Sequence, residues 1–266
     1  VIRAGWCNDI HLDFLDGDEV DRFLRSVADQ SPDVVLVGGD ISTATRIAAH
    51  LRRMEELIGA PILFVLGNHD FYHGSIRDVR SRVGRLCGQS QKLHWLNEAG
   101  VYSLSEQTAV VGHDGWGDAR LGNPLTSPIE LNDFFLIDEL VGHSREDLVR
   151  VLRELGDEAA AHFRSVLPDA LASHRKVVLL THVPPFREAT WYDGEISNED
   201  WLPFFCGKAA GDAMREIMSH HPDNELTVLC GHTHGEGETN VLPNLRVMTG
   251  GARYGAPRFQ SNLELD

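Results

Sequence analysis

Long apolar runs are missing from this 266-residue sequence. None approaches the roughly 18 residues that a membrane-spanning helix needs, and no charged-then-apolar signal segment opens the chain. No membrane partner is therefore expected. Cysteine is scarce as well: Cys7, Cys87, Cys206 and Cys230 are the only four, and no two form a C-x-x-C pair. That excludes a disulfide framework and predicts reduced thiols in the cytoplasm. Basic residues are the third shortage, with 24 Lys and Arg against 40 Asp and Glu, a net charge of −16. A surface of that sign repels phosphate backbones, so long nucleic acid is not expected as a partner. There is no internal repeat, low-complexity segment or interdomain linker, which predicts a single domain over residues 1–266.

What the chain has is a regular alternation of short apolar runs and amphipathic stretches. Val1 to Trp6, Val34 to Val37 and Ile62 to Leu66 read as buried strands. Between them Val20, Phe23, Leu24 and Val27, then Ile47, Leu51, Met54 and Ile58, recur at helical spacing. That order argues for parallel strands with right-handed crossovers, hence an α/β fold. A third helix carries Ile76, Val79, Val83 and Leu86, and shorter strands follow at Leu93–Leu96, Val101–Leu104 and Thr108–Gly112. Residues 113–143 and 186–206 lack a period. Helical pattern fills 144–173, divided at Gly156, and a further helix carries Met214, Ile217 and Met218. Later strands are Lys176–Leu180, Leu226–Cys230 and Leu245–Thr249, and the tail from Tyr254 has no predicted structure.

Five of these strands run into metal-type ligands. They are Asp9 with His11, Asp40, Asn68 with His69, His182, and His232 with His234. On an extended chain residues i and i+2 point the same way, so Asp-x-His and His-x-His can each aim two side chains at one point. The rim of strand ends is where α/β proteins bind ligands.

The series Asp9-x-His11, Gly39-Asp40, Gly67-Asn68-His69-Asp70, Thr181-His182 and Gly231-His232-x-His234 resembles the calcineurin-like metallophosphoesterases, with all five blocks in order. The resemblance implies a four-layer α-β-β-α sandwich of two mixed sheets with flanking helices. It also implies two metal ions about 3.5 Å apart. One would be held by Asp9, His11, Asp40 and His234, the other by Asp40, Asn68, His182 and His232, with Asp40 and a hydroxide bridging them. Two dications against two carboxylates and a hydroxide leave a cluster of about +1, suited to an anionic phosphoryl group. Nitrogen and oxygen donors suit Mn, Fe, Co, Ni or Zn better than Mg or Ca. His69, left over from the ligand set, is suited to be the general acid, with Asp70 orienting its ring and favouring its charged form. Asn8 replaces the family's usual small residue before Asp9, and is expected to touch no ligand.

The implied activity is hydrolysis of a small phosphoester by the bridging hydroxide. The run Asp9-Ile10-His11-Leu12 together with Thr181-His182-Val183-Pro184-Pro185 looks closest to the cyclic-nucleotide phosphodiesterase-like branch, which favours a small phosphodiester. Phosphomonoesterase, protein phosphatase and pyrophosphohydrolase are the alternatives within the family. A scaffold that keeps the fold without the chemistry is the rival of another class, and a nuclease is disfavoured by the charge. Trp116 and Arg120 in the first irregular stretch and Trp191 in the second are expected to face the substrate, as stacking surfaces and an anion contact. His113-Asp114 also follows a strand but is not assigned to the site, and His162 and His174 are expected on helix surfaces.

Overall fold

The computed structural model describes residues 1–266. In the first half, strands β1 (Ile2–Cys7), β2 (Val34–Gly38), β3 (Ile62–Val65), β4 (Leu93–Trp95), β5 (Tyr102–Ser103) and β6 (Thr108–His113) alternate with α1 (Gly17–Ala28), α2 (Ile47–Ile58), α3 (Ile76–Cys87) and the short α4 (Leu96–Ala99). The second half holds α5 (Asp133–Leu136), α6 (Arg145–Ser173), β7 (Lys176–Thr181), β8 (Trp191–Tyr192), β9 (Glu195–Ile196), α7 (Leu202–Phe205) and α8 (Lys208–Ser219). It closes with β10 (Glu225–Cys230), β11 (Gly237–Leu242), β12 (Leu245–Thr249) and β13 (Ser261–Leu265).

Two mixed sheets result, ordered β13-β1-β2-β3-β4 and β11-β12-β10-β7-β6-β5, beside a β8-β9 ribbon. The strands that carry ligand motifs, β1, β2 and β3 in one sheet and β7 and β10 in the other, pair in parallel. Period-two alternation explains how the sheets stack. Ala4, Trp6, Val34, Leu36, Leu63 and Val65 meet Val110, Val178, Leu180 and Leu229 in a core between the sheets. The alternate residues Val35, Val37, Ile62 and Phe64 pack outward with Leu24, Leu51, Met54 and Val83 of the helices. Strands buried on two faces read as unbroken apolar runs, which is how they were legible. The fold is the expected one: two large mixed sheets flanked by helices.

Three details differ from the sequence reading. Gly156 does not divide its helix: α6 runs unbroken for 29 residues. A Cβ at Gly156 would collide with the Asp118 side chain, so the glycine admits the 113–143 segment instead of ending the helix. The tail is structured, with β13 antiparallel to β1 along five paired positions. His174 is buried at the end of α6, its Nε2 2.8 Å from Ser103 Oγ, so it is no surface residue.

Candidate metal centre

The ligand motifs follow the C-terminal ends of β1, β2, β3, β7 and β10, and the backbone ties these loops together. Asp9 and His11 donate their N–H groups to the carbonyls of Gly39 and Asp40, and Gly231 donates to His182. Nine non-glycine residues in the chain have positive φ, and five are Asp9, His11, Asp40, His232 and His234. Such left-handed backbone costs non-glycine residues roughly 1–3 kcal/mol each and persists where surrounding structure enforces it. Asp-x-His and His-x-His therefore converge on a tightly turned chain, not on the extended one expected from the sequence. Gly67 and Gly231 leave the room: a Cβ on either would run into the carboxylates of Asp40 and Asp9 respectively.

One half of the cluster turns bare lone pairs toward one another. The His182 ring donates from Nδ1 to the Gly38 carbonyl at 2.9 Å, and the His232 ring donates from Nε2 to the Phe204 carbonyl at 3.1 Å. Those bonds fix the tautomers and leave bare lone pairs on His182 Nε2 and His232 Nδ1. Both lone pairs lie 3.0 Å from Asn68 Oδ1, and His182 Nε2 is 3.3 Å from Asp40 Oδ1. The Asn68 amide cannot turn to relieve this, because its Nδ2 donates to Asp133 Oδ1 at 2.8 Å and to the Tyr72 hydroxyl. The Asn68 oxygen and the two imidazole nitrogens, converging at that spacing, repel one another unless a cation sits between them, and the same cation would let Asp40 join them as a carboxylate. Donor atoms sharing one octahedral ion about 2.1 Å away lie about 3 Å apart. The residues fit a metal.

The other half is formed by Asp9, His11, Asp40 and His234, whose donor atoms all lie within 4.8 Å of one another. His11 Nε2 and His234 Nε2 are 3.2 Å apart, and His234 Nε2 is 3.7 Å from Asp9 Oδ1. Burial, reinforced by the neighbouring imidazoles of His69, His234 and His182, holds the His11 ring far below its ordinary pKa. Burial likewise keeps His182 and His232 neutral, the protonation state in which imidazole binds metal. Burial, then the carboxylates of Asp9 and Asp70, push Asp40 well above the usual carboxylate range. Asp40 lies between the halves, with Oδ1 toward His182 and Oδ2 3.8 Å from His11 Nε2.

Asp70 and Asn8 have other roles than expected. The Asp70 carboxylate accepts from the backbone N–H groups of Ile41, Ser42 and Gly67, so it clamps the loops after β2 and β3 and does not touch the His69 ring. The His69 ring is stacked on Tyr72 at 4.2 Å between centroids, and its Nε2 is 3.3 Å from the Tyr254 hydroxyl. Burial, then the His182 and His234 imidazoles, lower His69 to about 3, so its charged form is disfavoured rather than favoured. Asn8 does touch a ligand: its Nδ2 donates to Asp9 Oδ2 and to the Gly250 carbonyl. Asp114 is structural, its carboxylate accepting from Leu66 N–H, Trp95 Nε1, Asn97 Nδ2 and Arg80 Nε.

Above the cluster opens a cavity of about 310 Å³. Its floor includes Asp40, Asn68, His69, His232 and His234, and its walls are formed by Tyr72, Leu131, Asp133, Tyr192, Trp201 and Phe205, with the exposed Tyr254 at the lip. Trp116, Arg120 and Trp191 are not among the lining residues. Trp116 is 6% exposed and packs on Phe71 in the core. Arg120 is spent on Asp118 and Asp157 beside α6. The Trp191 ring lies against Gly237, and its carbonyl accepts from Gly235 N–H. All three pack the loops, and the expectation that they face substrate is corrected. Asp133, Trp201, Phe205 and Tyr254 were missed. Only the aromatic richness of 186–206 hinted at any of them.

Residues 2–236 match the family model described as calcineurin-like phosphoesterase. No curated protein matches by sequence. Among solved structures, a phosphopantetheinyl hydrolase from Mycobacterium tuberculosis is similar with a TM-score of 0.63 and 17% identity, over 94% of this chain and 89% of that one. A dimetal phosphatase from Danio rerio is similar with a TM-score of 0.58 and 14% identity, over 94% and 87%.

Proposed function

Because the chain belongs to the calcineurin-like phosphoesterases, we propose that it hydrolyses a small phosphodiester in the cavity over the donor cluster. Membership makes it a metal-dependent phosphoesterase. Asp9, His11, Asp40 and His234 would hold one ion, and Asp40, Asn68, His182 and His232 the other. The four imidazoles among those donors favour Mn, Fe, Co, Ni or Zn over Mg or Ca. Bound there, two such ions supply Lewis acidity to the phosphoryl oxygens and to the attacking water.

The observation that carries the choice of a diester is the cavity's lack of a cation. None of its 14 lining residues is Lys or Arg. Two dications, the carboxylates of Asp9 and Asp40 and a hydroxide sum to about +1, which one phosphodiester charge balances. The second charge of a monoester dianion, or those of a pyrophosphate, would find no partner, and Asp133 in the wall would repel it.

Neutral His69 acts on the leaving oxygen as a hydrogen-bond donor, in the way a buried neutral imidazole can serve as an electrophile. Stacking on Tyr72 holds its plane, and Tyr254 sits within hydrogen-bond reach of its Nε2. Four free cysteines, three of them buried, support a reducing compartment such as the cytoplasm. The acidic balance supports a small substrate over long nucleic acid. The test is a panel of mono-, di- and pyrophosphate esters with matched leaving groups, run with each of the five metals. Higher kcat/KM for the diester is expected, and a preference for the monoester would overturn the diester assignment.

A further inference from the structure

The wall formed by Tyr192, Trp201 and Phe205 has an order that loop packing alone does not require. Phe205 sits edge-on to the ring of the ligand His232, with centroids 5.1 Å apart. Trp201 stacks on Phe205 at 4.8 Å with an interplanar angle of 29°. Tyr192 continues at 5.0 Å from Trp201 and is 39% exposed. Tyr192 is also 5.6 Å from Phe205, so the three rings form one aromatic cluster beside the ligand His232, running from buried Phe205 to part-exposed Tyr192, and all three line the cavity. Leu131, Asn132 and Asp133 line the same cavity.

We infer that this aromatic cluster is the subsite for one ester group of the substrate, and that the group it takes is flat and uncharged. The inference rests on the phosphodiesterase reading above and narrows it. A phosphoryl group over the floor can place one substituent against a wall that adjoins the ligands, and Phe205 on His232 brings the aromatic cluster to the floor. A planar group lying on these rings gains both buried area and ring–ring contact. An anionic group would meet Asp133 and no Lys or Arg; the neighbouring Arg253 is exposed and does not line the cavity. A quaternary ammonium group calls for rings that face it from several sides. Here the three rings touch one another, with centroids 4.8, 5.0 and 5.6 Å apart, which leaves no space between them for a cation. At about 310 Å³ the cavity is at the small end of ligand sites, enough for a phosphoryl group and a modest ring system.

The test compares three non-hydrolysable, ester-free phosphinates on the metal-loaded protein: phenyl(methyl)phosphinate, cyclohexyl(methyl)phosphinate and trimethylammonioethyl(methyl)phosphinate. Binding is read by calorimetry and by quenching of tryptophan fluorescence, beside kcat/KM for an aryl and an alkyl diester of matched leaving-group acidity. The phenyl probe should bind about three- to tenfold more tightly than the cyclohexyl one. Trp201→Leu should erase that difference, and Trp201→Phe should keep part of it. Equal binding of the two in wild type, a preference that survives Trp201→Leu, or tighter binding of the ammonium probe would overturn the inference. If Trp201→Leu fails to fold, as its melting curve and metal content would reveal, Tyr192→Ser at the exposed end carries the same comparison. Hydrolysis of both diesters without a flat-group preference defeats the aromatic subsite alone. Hydrolysis of neither, with the metals bound, defeats the phosphodiesterase reading beneath it.

Discussion

Each candidate ligand on the floor of the cavity lies within four residues of a strand's C-terminal end, whereas the walls, Tyr72 apart, come from α5 and α7 with the residues just before them, the β8-β9 ribbon and the segment after β12. Hydrogen bonds from loop to loop lock the floor: His11 to Asp40, Gly231 to His182, His182 to Asp114, and the Asp70 clamp on Ile41, Ser42 and Gly67. The walls lean on one another mainly through ring contacts, Tyr192 on Trp201 and Trp201 on Phe205. The floor is held by strand ends and loop-to-loop backbone bonds, the walls by ring contacts and by a few hydrogen bonds to the floor, from Asn68 to Asp133 and from His232 to the Phe204 carbonyl. Changes to the floor should therefore abolish metal binding and activity together, and changes to the walls should alter which ester is preferred.

The largest effect should come from filling the space beneath the ligands. Gly67→Ala would drive a methyl group into Asp40 and toward His182. We expect loss of at least one bound ion and of activity by about a thousandfold or more, the scale on which removal of positioned transition-state donors acts. Elemental analysis and kcat checks it, and normal ion content would show that the loops have more slack than this packing allows.

Next is His69→Asn, which should slow turnover by about 10²–10⁴-fold while leaving the ion content intact. The loss should shrink for esters with nitrophenolate leaving groups, which need no proton. An equal loss for good and poor leaving groups would move His69 from the leaving oxygen to phosphate positioning. A smaller effect belongs to Tyr254→Phe, which removes one hydroxyl 3.3 Å from His69 Nε2. A fall in kcat of about two- to tenfold is expected, the scale of one hydrogen bond, with the melting temperature unchanged.

The smallest effect lies outside the comparison, in the frame that supports both regions. Burial lowers His50 and His162 to about 4, the second helped by His113. Between the ordinary imidazole value near 6.5 and that lowered value, the unfolded chain binds protons that the folded chain refuses. Their contribution is thus fully present above pH 6.5 and is lost as pH falls toward 4. The urea midpoint should drop between pH 7.5 and pH 5, and His162→Gln should make that drop shallower. A midpoint equally pH-dependent in the variant would remove His162 as a cause.

The sequence was legible where a physical constraint left a local pattern. Strands buried on two faces had to be apolar runs, and the donors had to follow them, so Asp9, His11, Asp40, Asn68, His182, His232 and His234 stood out. The convergence of those donors differs from the extended-chain expectation because left-handed backbone at Asp9 and His11 leaves only a weak signature in residue type, the enrichment of Asp and His in that region. The walls were illegible for a different reason. Trp116 in the core and Trp201 on the cavity are both tryptophans in aperiodic stretches, and only tertiary packing separates them. Arg120 looked free because Asp157, which pairs with it, lies 37 residues away on another element. Tyr254 and Asp133 reach the site from segments without period or motif.

The central claim is that two ions share Asp40, and metal content per chain in Asp40→Asn and His11→Ala tests it most directly. Wild-type protein should hold two ions, His11→Ala should lose chiefly one, and Asp40→Asn should weaken both. An Asp40→Asn protein that kept two ions per chain and near-normal turnover would contradict it.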